Sequence, residues 1–300
     1  MALLPPGMST TVAAIYAGLG GLSVVALVIG VVLYGSAARN DTTQRLTSAD
    51  KTMDQVLHDE ARVGDKLKAA FEPEKGPESP TKTYNGNSVR QAIKDVQPDL
   101  DSAAKTVETD QSTMRTALTA INNRGLINLT SGDQLDHKAA QLEAVSRALE
   151  VRADEATTAR QQLTLLGDLT TAQENFNGLA AALEKQDLLT ATARYTPSNN
   201  AIKQTVADAQ QSNTPDAVRN YVTEVSGFMD ATQAVINSLQ ARDFGEYTAS
   251  IRIFTTKLEN LATYDPKTMR KQYDDLIKSY DDRYNSYIQD AGLVVGTKAV

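Results

Sequence analysis

The chain has two histidines, and each has an aspartate one helical turn before it: Asp54 with His58, and Asp133 with His137. On a helix that spacing sets a carboxylate and an imidazole on one face, which is half of a metal site. The apolar pattern around them decides against it. Met53 and Val56 take the inward seam and turn Asp54 and His58 outward, while His137 falls off the seam set by Leu135 and Leu142. Carboxylate-bridged metal bundles use an inward Glu plus Glu-x-x-His, but the residue three before each histidine is Gln55 or Gln134. Both pairs read as solvated polar residues, and no metal or other cofactor is expected.

A second set of side chains with chemical potential is aromatic. Tyr273, Tyr280, Tyr284 and Tyr287 recur at helical spacing near the C-terminus, with Tyr247 and Tyr264 elsewhere. Such a row can serve as an interface for a protein or sugar partner, yet the same spacing lays it on the packing stripe of its own helix, with hydroxyls at the rim. The acidic neighbours Asp274, Asp275, Asp281 and Asp282 suggest calcium only superficially, because a helical backbone cannot supply the loop carbonyls that calcium sites use. Gly18, Gly20 and Gly21 lack the preceding strand and third glycine of a dinucleotide fingerprint. With no cysteine, thiolate catalysis and Cys-based zinc sites are excluded. No phosphate loop, nucleophile elbow or zinc-protease helix is present, so the chain is expected to be non-enzymatic.

The elements around these residues are helical. From Thr11 to Tyr34 the sequence carries no charge, and as a helix rising about 1.5 Å per residue it would span roughly 36 Å against a hydrocarbon core of about 30 Å. This predicts a single transmembrane helix. Its small residues form two rows, Ala13, Ala17 and Gly21, and Ala14, Gly18, Ala26 and Gly30, a face on which such helices can approach closely. Ser36, Ala37 and Ala38 resemble a cleavage site, but a basic n-region is missing. Arg39 and Arg45 after the span favour a cytoplasmic domain, whereas a short stub before a long domain is the build of an outward-facing anchored protein; the outward orientation is the expectation carried forward.

Beyond the span, apolar residues alternate in steps of three and four. Leu46, Ala49, Met53, Val56, Val63, Leu67 and Ala70 form one seam with Glu60 as its polar occupant. Val89, Ile93, Val96, Leu100, Ala103, Val107, Met114, Ala117 and Ile121 form the next, interrupted by Asp110, with Pro98 expected to kink or restart the helix. Glu72 to Gly86 is proline- and glycine-rich and must be a loop, and Asn122 to Asp133 is the tip of a helical hairpin. Leu135, Leu142, Val145, Leu149, Ala156, Ala159, Leu163 and Leu166, continued in shifted phase by Leu169, Ala172, Phe176, Leu179 and Leu183, predict a helix of about 60 residues, about 90 Å long, that could bend at Gly167 and Gly178. Shorter helices are predicted to start near Asn199, at Thr214 with Pro215, near Asp243, and at Asp265 with Pro266.

The expected fold is therefore all-α: a stub and transmembrane helix over residues 1–38, a long antiparallel coiled-coil-like region over 39–195, a smaller helical bundle over 196–290, and a flexible tail over 291–300. A formal charge of -7 spread over both signs argues against nucleic acid as a partner. The expected partners are the lipid bilayer and a protein, or a second copy of the chain. The function that fits is a single-pass membrane scaffold engaged in protein–protein interaction. The alternatives are a membrane-anchored sensor with a ligand between its helices, and a helical pore-forming protein.

Overall fold

A computed structural model describes residues 38–67, 86–123, 128–185, 187–211 and 213–293. Among them the fold is all-helical, with seven helices and no strand. These are α1 (38–67), α2 (Gly86–Asn122), α3 (Asn128–Glu184), α4 (Leu188–Gln211), α5 (Asp216–Ala241), α6 (Phe244–Ala262) and α7 (Pro266–Asp290). The uncharged segment 11–34, with its small-residue rows at Ala13, Ala17, Gly21, Ala14, Gly18, Ala26 and Gly30, lies outside the described residues, as do 68–85 and 294–300. No helix among the described residues is long and apolar enough to cross a membrane.

Local chemistry sets several of the helix ends. Asp187 caps α4: its Oδ1 accepts from the Thr190 N–H at 3.0 Å and its Oδ2 from the Thr190 hydroxyl at 2.6 Å. Asp243 accepts from the Glu246 N–H, and Asp265 from the Lys267 N–H, each at 3.0 Å, with Pro266 in the first turn of α7. Arg242, at φ 55°, turns the chain out of α5 in the left-handed conformation, and the Asp243 N–H reaches back to the Ser238 carbonyl. Gly292, at φ 72°, does the same after α7, so that Leu293 folds back onto the core.

Two boundaries differ from the sequence expectation: α3 begins at Asn128, inside the segment 122–133 expected to be the hairpin tip, and α4 begins early. Helix α2 continues through Pro98, and α3 runs as one helix of 57 residues past Gly167 and Gly178, close to the length expected. Helix α4 starts at Leu188, not near Asn199, and passes through Pro197 and across residue 196. The Asp187 cap starts the helix ahead of Pro197. Pro197 is exposed, and the Ser198 hydroxyl donates to the Arg194 carbonyl at 2.8 Å.

Cross-helix contacts fix the layout. Lys138 meets Asp50 and Arg152 approaches Glu60, so α1 and α3 are parallel. Gln111 reaches the Leu149 carbonyl and Arg160 meets Asp101, so α2 is antiparallel to both. Helix α7 returns along α3, with Ala291 at Gln141, Tyr284 at Arg152 and Tyr280 at Thr158. The basal half of the molecule is thus a bundle of α1, α2, α3 and α7. In the other half the C-terminal part of α3 packs with α4 and α5, and α6 packs on α5: Tyr195 bonds to Gln233, Gln240 to Thr192, and Phe228 lies between Phe176 and Phe254. Helix α3, with 57 residues, runs the length of both halves, about 85 Å at 1.5 Å per residue.

The apolar core is divided accordingly. One cluster holds Met53, Val56, Met114, Leu142, Leu149 and Ile288, and a second holds Val63, Leu67, Leu100, Val107, Ala156 and Leu163. A third, around Leu179, Tyr195, Met229 and Ile236, fills the far half. Removing a leucine side chain such as Leu142 or Leu149 from these seams would destabilise the chain by about 2–5 kcal/mol.

Candidate functional site

Between the first two clusters the seam turns ionic. Glu60 follows Val56 by four and precedes Val63 by three; Asp110 follows Val107 and precedes Met114; Arg152 follows Leu149 and precedes Ala156; Tyr284 lies between Tyr280 and Ile288. Each is a seam position of its own helix, so four helices deliver polar side chains to one layer. Glu60, Asp110, Arg152 and Glu155 are all buried there, Glu155 completely.

Arg152 is the centre. Its Nη1 donates to Glu155 Oε2 at 2.5 Å and to Asp281 Oδ1 at 3.1 Å, and its guanidinium sits 4.1 Å from the centre of the Tyr284 ring. Glu60 Oε2 is 3.8 Å from Arg152 Nε, close enough to feel the charge but without a hydrogen bond. Gly64, one turn after Glu60, leaves room for the guanidinium: a Cβ there would lie 3.3 Å from Arg152 Nη2.

The electrostatics follow from this unequal sharing. Burial raises the Glu60 pKa to about 8; attraction to Arg152 opposes that, and Asp110, Glu155 and Asp59 add to it. At neutral pH Glu60 is therefore mostly a protonated acid. Asp110 is pushed up to about 6 by burial and by Asp59. For Arg152, burial works against the charge, but Glu155, Tyr284 and Asp281 outweigh it and hold the pKa above its ordinary value. Burial, together with Glu60, drives the Tyr284 phenol upward. Across α3 and α4 a further acid is affected: burial and a hydrogen bond to Asp208 raise Asp168 to about 6.

Beside the layer the Tyr280 hydroxyl and Thr158 Oγ1 lie 2.8 Å apart, and Asn213 Nδ2 donates to both, at 3.2 and 3.1 Å. Asn213 and Tyr280 also border an open cleft of about 650 Å³ with Thr214, Arg219, Gln272 and Arg283 on its walls. The Gln272 side chain accepts from the Ala217 N–H at 2.9 Å and so helps cap α5.

The tyrosines of the C-terminal row differ in depth. Tyr280 and Tyr284 are buried, Tyr287 packs partly buried against the first cluster, and Tyr273 packs against Leu165, Val218 and Val222, where burial lifts its pKa to about 12. The row faces its own core. His58 and His137 are exposed, and no group of three or more potential metal ligands is present among the described residues. Glu60 and Asp110 stand out in the sequence as polar seam residues. Arg152 does not, because the seam can be read from Leu149 to Ala156 in one step of seven, and Asp281 is hidden in a run of acidic residues whose other members, Asp274, Asp275 and Asp282, are exposed.

The layer can hold a proton and lock helix register, but it offers no nucleophile, no positioned base facing an open site and no oxyanion donor. No protein-family model matches the chain, and neither a curated protein nor a solved structure matches it.

Proposed function

We propose that the chain is a single-pass, membrane-anchored, non-enzymatic helical scaffold that stands off the bilayer and presents an interaction surface at its far end, on the extracytoplasmic side. The observation that carries this reading is the direction of the rod. The uncharged segment 11–34 ends a few residues before α1, and α1 runs parallel to α3. An anchor there lies at the base, about 85 Å along α3 from the α3–α4 turn. At that far end the N-terminus of α4 and the α5–α6 turn lie side by side, and they expose Leu189 and Phe244 to 84% and 80%. Large apolar side chains so exposed at one end of a molecule support partner contact.

The test is membrane fractionation followed by protease treatment of intact cells, with a tag after Val300 as readout. Retention in the membrane and loss of the tag without lysis is the expected result. Recovery of the chain in the soluble fraction would overturn the anchor, and protection of the tag until lysis would place the rod on the cytoplasmic side, in agreement with Arg39 and Arg45.

A sensor reading is favoured by one observation, the cleft beside Asn213 and Tyr280, which couples a solvent-facing surface to the buried layer through Tyr280 and Thr158. A ligand there would change the stability of the rod, and a thermal-shift screen with small polar solutes tests for it.

A further inference from the structure

We propose that α6 is a self-recognition helix, whose outer stripe Phe244, Thr248, Ile251, Thr255 and Leu258 pairs in parallel with the same stripe of a second copy anchored in the same bilayer. The proposal rests on the membrane-anchored reading and adds the partner and its orientation.

Helix α6 leans on α5 through one side. Phe254 packs on Phe228 with ring centres 4.7 Å apart, Lys257 pairs with Glu224 at 3.0 Å, Tyr264 meets Tyr221 at 5.5 Å, and Ser250 is buried between them. At about 100° per residue the stripe lies roughly a quarter-turn away from that side. Its steps of four and three are those of a coiled-coil seam, and Ala262 extends it to the end of the helix. Phe244 and Leu258 are 80% and 51% exposed, and Ile251 is half-buried. A seam pattern of this length without a partner helix among the described residues fits a second helix of the same kind.

Orientation selects the copy. Rods rising from one bilayer are parallel, and α6 lies along the far half of the rod, so a twofold axis normal to the membrane brings Phe244, Ile251 and Leu258 against their own counterparts. The antiparallel alternative turns one anchor away from the bilayer. It also centres the pair on Ile251 and sets Arg252 of the two copies opposite each other, a like-charge contact. Area selects the setting. Three large side chains and two threonines bury on the order of 300–400 Å² per copy, short of the roughly 800 Å² per partner of stable soluble complexes. Pairing therefore depends on the high effective concentration that a shared membrane supplies.

The absence of native cysteine permits a direct test in the full-length chain. Thr248→Cys, Thr255→Cys and Ile253→Cys are each expressed singly, and membranes are treated with copper–phenanthroline. Ile253 is 55% exposed on the opposite flank of α6 and serves as the control. The expected result is at least about tenfold more disulfide-linked dimer from the two threonine positions than from Ile253→Cys. Adding Phe244→Asp and Leu258→Asp to Thr248→Cys should abolish the link while helicity by circular dichroism is retained. Equal linking at Ile253, linking of Ile251→Cys but of neither threonine position, or a membrane-bound chain that does not link would each overturn the proposal. A chain found in the soluble fraction would instead overturn the anchored reading and this inference with it.

Discussion

Glu60→Gln should remove a pH dependence that the wild-type chain carries in its core. Glu60 is buried among Asp110, Arg152, Glu155 and Tyr284, with Asp59 as its charged chain neighbour, and its pKa is raised from 4.5 to about 8. In the folded chain it keeps its proton up to about pH 8, whereas in the unfolded chain it loses the proton near 4.5. Between those values the unfolded state binds fewer protons, so this group's contribution to stability is complete below pH 4.5, falls as pH rises, and is gone above about pH 8. At about 1.4 kcal/mol per pH unit the full window amounts to about 5 kcal/mol, some 3 kcal/mol of it lost by neutrality. Glutamine keeps the shape and cannot ionise. Urea denaturation followed by circular dichroism, run on both proteins across the window, should show wild type losing ground to Glu60→Gln by several kcal/mol as pH rises. A difference that stays constant to within about 1 kcal/mol from pH 4.5 to 8 would mean that Glu60 is not held neutral, and the unequal sharing of Arg152 would have to be abandoned.

Arg152→Met should destabilise the chain by about 3–5 kcal/mol, because Glu155 and Asp281 stay in the layer without their counter-charge; the unfolding midpoint in urea at neutral pH reads this out. Tyr280→Phe removes the hydroxyl shared with Thr158 and Asn213 and should lose about 1–2 kcal/mol in the same assay. Gly167→Ala should stabilise by about 0.5–1 kcal/mol, since a Cβ there meets only Ile93 Cδ1 at 3.8 Å and the residue lies inside α3. Pro98→Ala and Pro197→Ala, at exposed positions inside α2 and α4, should each raise stability by about 1–3 kcal/mol, which thermal melts would detect.

The sequence carried the seams of the first three helices well. Met53, Val56, Val63 and Leu67 of α1, Leu100, Ala103, Val107, Met114 and Ile121 of α2, and Leu135, Leu142, Val145 and Leu149 of α3 are all buried, as their spacing predicts. The caps at Asp243 and Asp265 were equally legible, because capping is decided within four residues. The start of α4 was not, since Pro197 suggests a boundary while the shorter-range bonds between Asp187 and Thr190 set it. Least legible was the partner of α7. Its apolar stripe is plain in the sequence, but that the stripe lies along α3, with Asp281 on Arg152 across 129 positions, depends on packing that no local pattern encodes.

That long-range contact also explains why an ionic layer sits where an apolar one would be more stable. A seam built only of Leu, Val and Ala tolerates a slip of one heptad, because the next apolar residue replaces the last. Here a seven-residue slip of α2 would carry Asp110 into the cluster of Val63 and Leu100, or into that of Met53 and Leu149, and would bring Ala103 or Ala117 into the ionic layer. A slip of α7 would take Asp281 away from Arg152 and leave the guanidinium with one carboxylate fewer in a buried site. The cost falls on the α7 slip, which takes a carboxylate from the buried Arg152 guanidinium at several kcal/mol, so the layer favours one alignment of α7 on α3. For the anchored scaffold we propose, this alignment would set where the far end stands. With that register fixed, the far end of α3 and the α5–α6 turn would occupy one height and one azimuth above such an anchor. Two copies in one bilayer would then present their α6 stripes at the same level.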